Sequence, residues 1–161
     1  MIETAPFRQD LALGPETDAY WLKASDDVRL RVGYSKGSQA KGTVFFFPGR
    51  TEFIEKYGHP TADFVEAGFD VLSIDWRGQG LADRIGSNPM VGHVDRFLDF
   101  QKDWAAMRSF ASSTRLPKPW FLVAHSMGGA IGLRALVQGA DFKATVFTGP
   151  MWGISMGVHL R

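Results

Sequence analysis

The fold class this sequence predicts is a mainly parallel α/β sheet with helices on both faces, and three observations predict it. Short apolar runs closed by glycine or proline read as strands buried on both sides; longer stretches repeat apolar residues every three or four positions, as helices do; and the two kinds alternate along the chain. A sheet of this kind gathers ligands at the carboxyl ends of its strands.

The elements follow in order. "AYWLKAS" (Ala19 to Ser25) and "VRLRVGYS" (Val28 to Ser35) flank an Asp-Asp pair and predict an antiparallel hairpin. "GTVFFFPG" (Gly42 to Gly49) predicts a buried strand, with Phe45, Phe46 and Phe47 in the core. From Glu55 to Ala67, Tyr57, Phe64 and Val65 share a helix face, and Gly68 suits a left-handed stop. "FDVLSID" (Phe69 to Asp75) is the next strand, ahead of the glycine-rich "WRGQGLADRIGS". Between Asp95 and Ser112, the spacing of Phe97, Phe100, Trp104, Met107 and Ala111 predicts an amphipathic helix opened by His93, with Asp99, Lys102, Asp103 and Arg108 turned to solvent. "WFLVAH" (Trp120 to His125), a helix from Met127 to Val137 and the strand "KATVFTGP" (Lys143 to Pro150) complete the series.

With 161 residues, 45% of them hydrophobic, the chain can bury one domain-sized core. A formal charge of +1 without charge blocks gives no nucleic-acid or membrane-surface footprint; Arg29, Arg31, Arg77 and Arg84 read as scattered solvated arginines. No cysteine is present, which fits a reducing compartment and excludes disulfides and thiolate metal sites. Neither an export signal nor a run long enough to span a bilayer is visible, so the expectation is a soluble, cytoplasmic protein.

The chemistry concentrates at "FLVAHSMGGAIGLRAL" (Phe121 to Leu136), where one serine stands between a buried strand and a helix. A sharp strand-to-helix bend lifts such a hydroxyl above the sheet edge and needs small residues two positions either side, here Ala124 and Gly128. The competing reading of Ser126 is a helix N-cap; the buried strand before it and the glycine pair after it favour the nucleophile.

Four segments in order, "PGRTEFIEKYG", "SIDWRGQGLADR", "HVDRFLDFQKDW" and "AHSMGG", give the chain from about residue 20 to 155 a resemblance to the α/β-hydrolase superfamily, in its lysophospholipase and monoacylglycerol-lipase branch. The resemblance implies Ser126 as nucleophile, an oxyanion hole from the N–H groups of Arg50 and Met127, no metal or organic cofactor, and an acyl ester or lipid as substrate. It departs from the usual pattern in having alanine at 124 and Pro48-Gly49 where His-Gly is common. Arg50 and Glu52 read as an exposed ion pair, with a substrate-headgroup role for the arginine as the alternative, and Asp75 reads as an acceptor that holds the "RGQG" turn.

A serine nucleophile needs a base. His125 should point away from Ser126, His59 and His93 read as structural or exposed, and His159 lies in the last three residues. In the superfamily the acid and histidine follow on later strands, so the resemblance implies an amino-terminal half cut before the cap and last strands: an extension over 1–17, the core over 18–150 and the start of a cap over 151–161. The last strand would then leave Val146 and Phe147 on an open edge, which predicts self-association or a complementary fragment. Other acyl hydrolases of the fold (aminopeptidase, thioesterase, haloperoxidase-type) and a non-catalytic lipid-binding module remain as alternatives.

Overall fold

The computed structural model describes residues 2–154. Six strands form one sheet: β1 (Asp18–Lys23), β2 (Arg29–Ser35), β3 (Thr43–Phe47), β4 (Asp70–Asp75), β5 (Trp120–His125) and β6 (Ala144–Thr148), in spatial order β1-β2-β4-β3-β5-β6. The β1–β2 hairpin joins β4 antiparallel, and β4, β3, β5 and β6 run parallel. Among the described residues four α-helices accompany them: α1 (Gln9–Ala12), α2 (Gly58–Glu66), α3 (Phe100–Ser113) and α4 (Met127–Val137).

β3 shows how pattern becomes architecture. All five of its residues are buried, and successive side chains leave on opposite faces. Phe45 and Phe47 enter the larger core with Trp76, Trp104, Met107 and Ile131, contributed largely by α3 and α4. Val44 and Phe46 enter the smaller core under α2, with Val71, Tyr57 and Phe64. Each buried phenylalanine contributes about 1.5–3 kcal/mol of transfer free energy, so both faces fix the register of this central strand.

Several expectations are corrected. The predicted helix over Asp95 to Ser112 begins later: His93 lies in coil, a 3-10 turn covers Phe97–Asp99, and α3 starts at Phe100, leaving Phe97 exposed. Asp99 and Asp103 are buried rather than turned to solvent. Asp103 meets Arg77, whose guanidinium donates to it at 2.7 and 2.9 Å and to Asp26 at 2.8 and 3.0 Å. Burial raises the Asp103 carboxyl to about 6 against the pull of Arg77. Arg31 is likewise buried, donating to Asp75 and Glu55 and to the Pro6 carbonyl. Two of the four arginines read as solvated therefore belong to the interior, paired because a lone buried charge would be prohibitive.

The amino-terminal residues dock on this body: Thr4 forms a bridge with Tyr20, and Ala12 is buried against Gly58. At the opposite edge β6 pairs only with β5 among the described residues, and Val146 is 55% exposed. No helix among the described residues is long and apolar enough to cross a membrane.

Candidate active site

The turns after β3, β4 and β5, the three innermost parallel strands, meet at one edge of the sheet. Ser126 sits on the last of them, between β5 and α4, with φ 49° and ψ −116°. A non-glycine residue held there stores about 1–3 kcal/mol of strain, so the surroundings must impose the bend. They do so through the Ser126 backbone, whose N–H donates to the Thr148 carbonyl at 3.1 Å and whose carbonyl accepts from Gly129 and Met151, each at 2.9 Å. Close packing completes the bend: a side chain on Gly128 would collide with the backbone of Phe47 and Pro48. Ala124 is fully buried and has no positive φ, so its methyl group fits where the usual pattern has glycine.

The N-cap reading of Ser126 fails, because no side-chain capping bond forms at α4. Its hydroxyl is left uncommitted at the sheet edge.

Of the two amides predicted to face it, Met127 N–H belongs to the first turn of α4, where backbone donors lack helical partners. Arg50 N–H lies in the turn after β3, and there the neighbouring amides are each tied to a side chain. Gly49 N–H donates to Glu52 at 2.6 Å, Thr51 N–H to Gln79 at 2.6 Å, and Ile54 N–H to Asp75 at 2.9 Å. Among the described residues, neither Arg50 N–H nor Met127 N–H has a protein acceptor.

The supports of that turn were only partly foreseen. Asp75 is buried as an acceptor that spans two turns, taking Ile54 N–H and Leu81 N–H together with Arg31. Burial drives its carboxyl upward, opposed by Arg31 and the two amides. Glu52 does not pair with Arg50. It is buried and accepts from Lys56 and from the Tyr57 hydroxyl as well as from Gly49. Burial pushes its carboxyl up, but these three donors outweigh it and hold the group below its ordinary value. Gln79 was missed altogether; its place in "RGQG", facing "PGRTE" across adjacent strands, was the available signal.

The histidines separate cleanly. His125 turns its Nδ1 to the Thr148 carbonyl at 2.9 Å, His93 pairs with the Asp95 carboxylate at 2.9 Å, and His59 is exposed on α2. No histidine ring is bonded to the Ser126 hydroxyl among the described residues, and His159 lies outside them. Beside the serine turn opens a cleft of about 320 Å3, lined by Arg50, Gln79, His93, Met127 and a wall of apolar side chains including Val94, Phe100 and Met151.

A mainly parallel sheet with a strained serine between strand and helix, at the edge where the turns converge, is the architecture of an α/β hydrolase. The chain belongs to the family described as serine aminopeptidase, S33 (Hydrolase_4), which matches residues 38–160. It is 37% identical over 153 residues to lysophospholipase L2 of Escherichia coli, covering 88% of this chain and 44% of that protein. It is 34% identical over 125 residues to a probable lysophospholipase L2 of Haemophilus influenzae, covering 77% of this chain and 39% of the relative. The chain thus spans less than half the length of the curated relatives it matches. Among solved structures, a carboxyl esterase of Bacillus coagulans superposes with a TM-score of 0.72 at 21% identity, over 83% of this chain and 44% of that one. An esterase of Pyrococcus furiosus gives 0.68 at 21% identity, over 93% and 56%. The first two relatives support hydrolase chemistry, and the solved structures support the fold.

Proposed function

We propose that this chain carries the nucleophile and oxyanion-binding half of a serine hydrolase of carboxylic esters, acting on lysophospholipids or monoacylglycerols. The observation that carries the proposal is the bend at Ser126, with an uncapped hydroxyl, together with the Met127 and Arg50 N–H groups, which have no acceptor among the described residues. The names of the two bacterial relatives support the lysophospholipid class.

In this reading the Ser126 oxygen bonds to the acyl carbon while its proton passes to a histidine base. The carbonyl oxygen becomes an oxyanion and is held by the N–H groups of Arg50 and Met127. Collapse breaks the ester bond, the base returns the proton to the departing alkoxide, and an acyl-enzyme remains for water to hydrolyse. A donor lost from an oxyanion hole of this kind costs about 2.7–4 kcal/mol in barrier. Glu52, Gln79 and Asp75 act by fixing the turn that presents Arg50 N–H. The histidine and its carboxylate partner are assigned to sequence beyond these residues, with 1–17 an extension, 18–150 the core and 151–161 the beginning of a cap. The 161 residues alone are then expected to hydrolyse esters near background. A cytoplasmic location, as the sequence suggests, belongs to the same proposal.

The mostly apolar cleft beside Met127 supports one second reading, a lipid-binding module without turnover. Hydrolysis of a 1-acyl lysophospholipid by the full-length protein separates the two. Turnover abolished by Ser126→Ala supports the hydrolase, whereas saturable binding of the same lipid without turnover supports the module.

A further inference from the structure

The side chain of Arg50 has no explained task. It is exposed, and the carboxylate nearest in sequence, Glu52, is taken by Lys56, Tyr57 and Gly49. No carboxylate among the described residues pairs with its guanidinium. Yet Arg50 lines the cleft beside Met127, in a wall that contains no aspartate or glutamate and is otherwise mostly apolar. The cleft is thus cationic at the serine turn and oily beyond it. An isolated, solvent-facing arginine would be unremarkable on an open surface; here it stands on the residue whose N–H the proposed function assigns to the oxyanion hole.

We infer that the Arg50 guanidinium binds the anionic headgroup of the substrate, so that one residue holds both reacting carbonyl and phosphate, and selects phosphate-bearing lysolipids over neutral monoacylglycerols. The inference rests on the serine-hydrolase reading. Its geometric basis is reach: the stem from an arginine's own N–H to its guanidinium is a chain of much the same length as the glycerol backbone between an acyl carbonyl and a phosphate. With the carbonyl oxygen at Arg50 N–H, the phosphate of a 1-acyl glycerophosphate comes within range of the guanidinium, whose planar fork suits two phosphate oxygens at once. The acyl chain then runs along Val94, Phe100 and Met151. His93, at the same end of the cleft, has its Nε2 engaged with the Asp95 carboxylate at 2.9 Å. The side chain, unlike the backbone amide, can be replaced without removing the oxyanion donor.

The test compares kcat/KM of the full-length protein on a 1-acyl glycerophosphate and a 1-acyl glycerol of equal chain length, in wild type, Arg50→Gln and Arg50→Lys. The expected result is that Arg50→Gln lowers the anionic-to-neutral ratio at least tenfold and that Arg50→Lys recovers part of it. An unchanged ratio, with both substrates falling together or neither falling, overturns the inference and leaves the hydrolase reading intact. Should wild type turn over neither ester, the hydrolase reading fails, and binding of a non-hydrolysable 1-alkyl glycerophosphate then decides the headgroup role. Affinity weakened at least tenfold in Arg50→Gln sustains it, and equal affinity ends it.

Discussion

Gly128→Ala tests the bend at Ser126 by filling a place where helix α4 lies against the backbone at the end of strand β3. A Cβ at 128 would stand 2.5 Å from the Phe47 carbonyl carbon and 2.6 Å from the Pro48 oxygen. Ordinary carbon contacts lie at about 3.5–4.0 Å, so helix and strand must separate by about 1 Å. The obstacle is the main chain of a central strand buried on both faces, which cannot rotate aside as a side chain can. Overpacking of this kind costs about 1–3 kcal/mol, and here the upper end applies. Against it stands the gain of about 1 kcal/mol for alanine over glycine in a helix. The net expectation is a loss of about 2 kcal/mol, which at a urea m-value of about 2 kcal/mol/M lowers the unfolding midpoint by about 1 M. Gly132→Ala, one turn further along α4, is the internal comparison. Its Cβ would meet the Leu122 Cδ2 at 2.9 Å, the end of a flexible side chain, so strain and propensity gain nearly cancel. Urea unfolding followed by tryptophan fluorescence measures both. A Gly128→Ala midpoint at or above wild type, or equal losses at both positions, would refute the reasoning.

Three further expectations concern the buried charges and the open edge. Arg77→Ala strands Asp103 in the core and should lower stability by about 3–5 kcal/mol, with the double variant Arg77→Ala/Asp103→Ala recovering part of the loss; denaturant titration measures both. Glu52 is held below its unfolded value of 4.5, so its contribution to stability is complete above pH 4.5 and fades as pH falls through the lower folded value; Glu52→Gln should therefore flatten the stability profile on the acid side of pH 4.5, as melting temperature against pH would record. Val146→Lys places a charge on the half-paired strand β6 and should suppress concentration-dependent self-association of the 161-residue chain in sedimentation experiments, whereas a wild-type chain that stays monomeric at high concentration contradicts the open-edge proposal.

What the sequence made legible was whatever depends on short-range pattern. "VFFFP" announced a strand buried on both faces because every position is apolar, and "AHSMGG" announced the bend because only small residues permit the close crossing at Gly128. The buried charges were illegible for the opposite reason. Arg31 finds Asp75 across 44 positions and Arg77 finds Asp103 across 26, so nothing local distinguishes them from solvated arginines. The helix that starts at Phe100 was extended too far back because Phe97 keeps the apolar spacing, although in the fold its turn is 3-10 and its ring half-exposed. At the candidate site, the bend at Ser126 was legible in motif order, but the side-chain clamps of the turn after β3 were not. Glu52 looked like a partner for Arg50 and is instead turned inward, and Gln79 reaches Thr51 only once β3 and β4 lie side by side.

The most direct test of the account is the site of covalent capture by a fluorophosphonate in the full-length protein, read by peptide mass spectrometry. The account predicts one adduct, on the peptide that contains Ser126, and none in Ser126→Ala. An adduct that persists in Ser126→Ala, or no adduct in a folded wild-type protein, would contradict it.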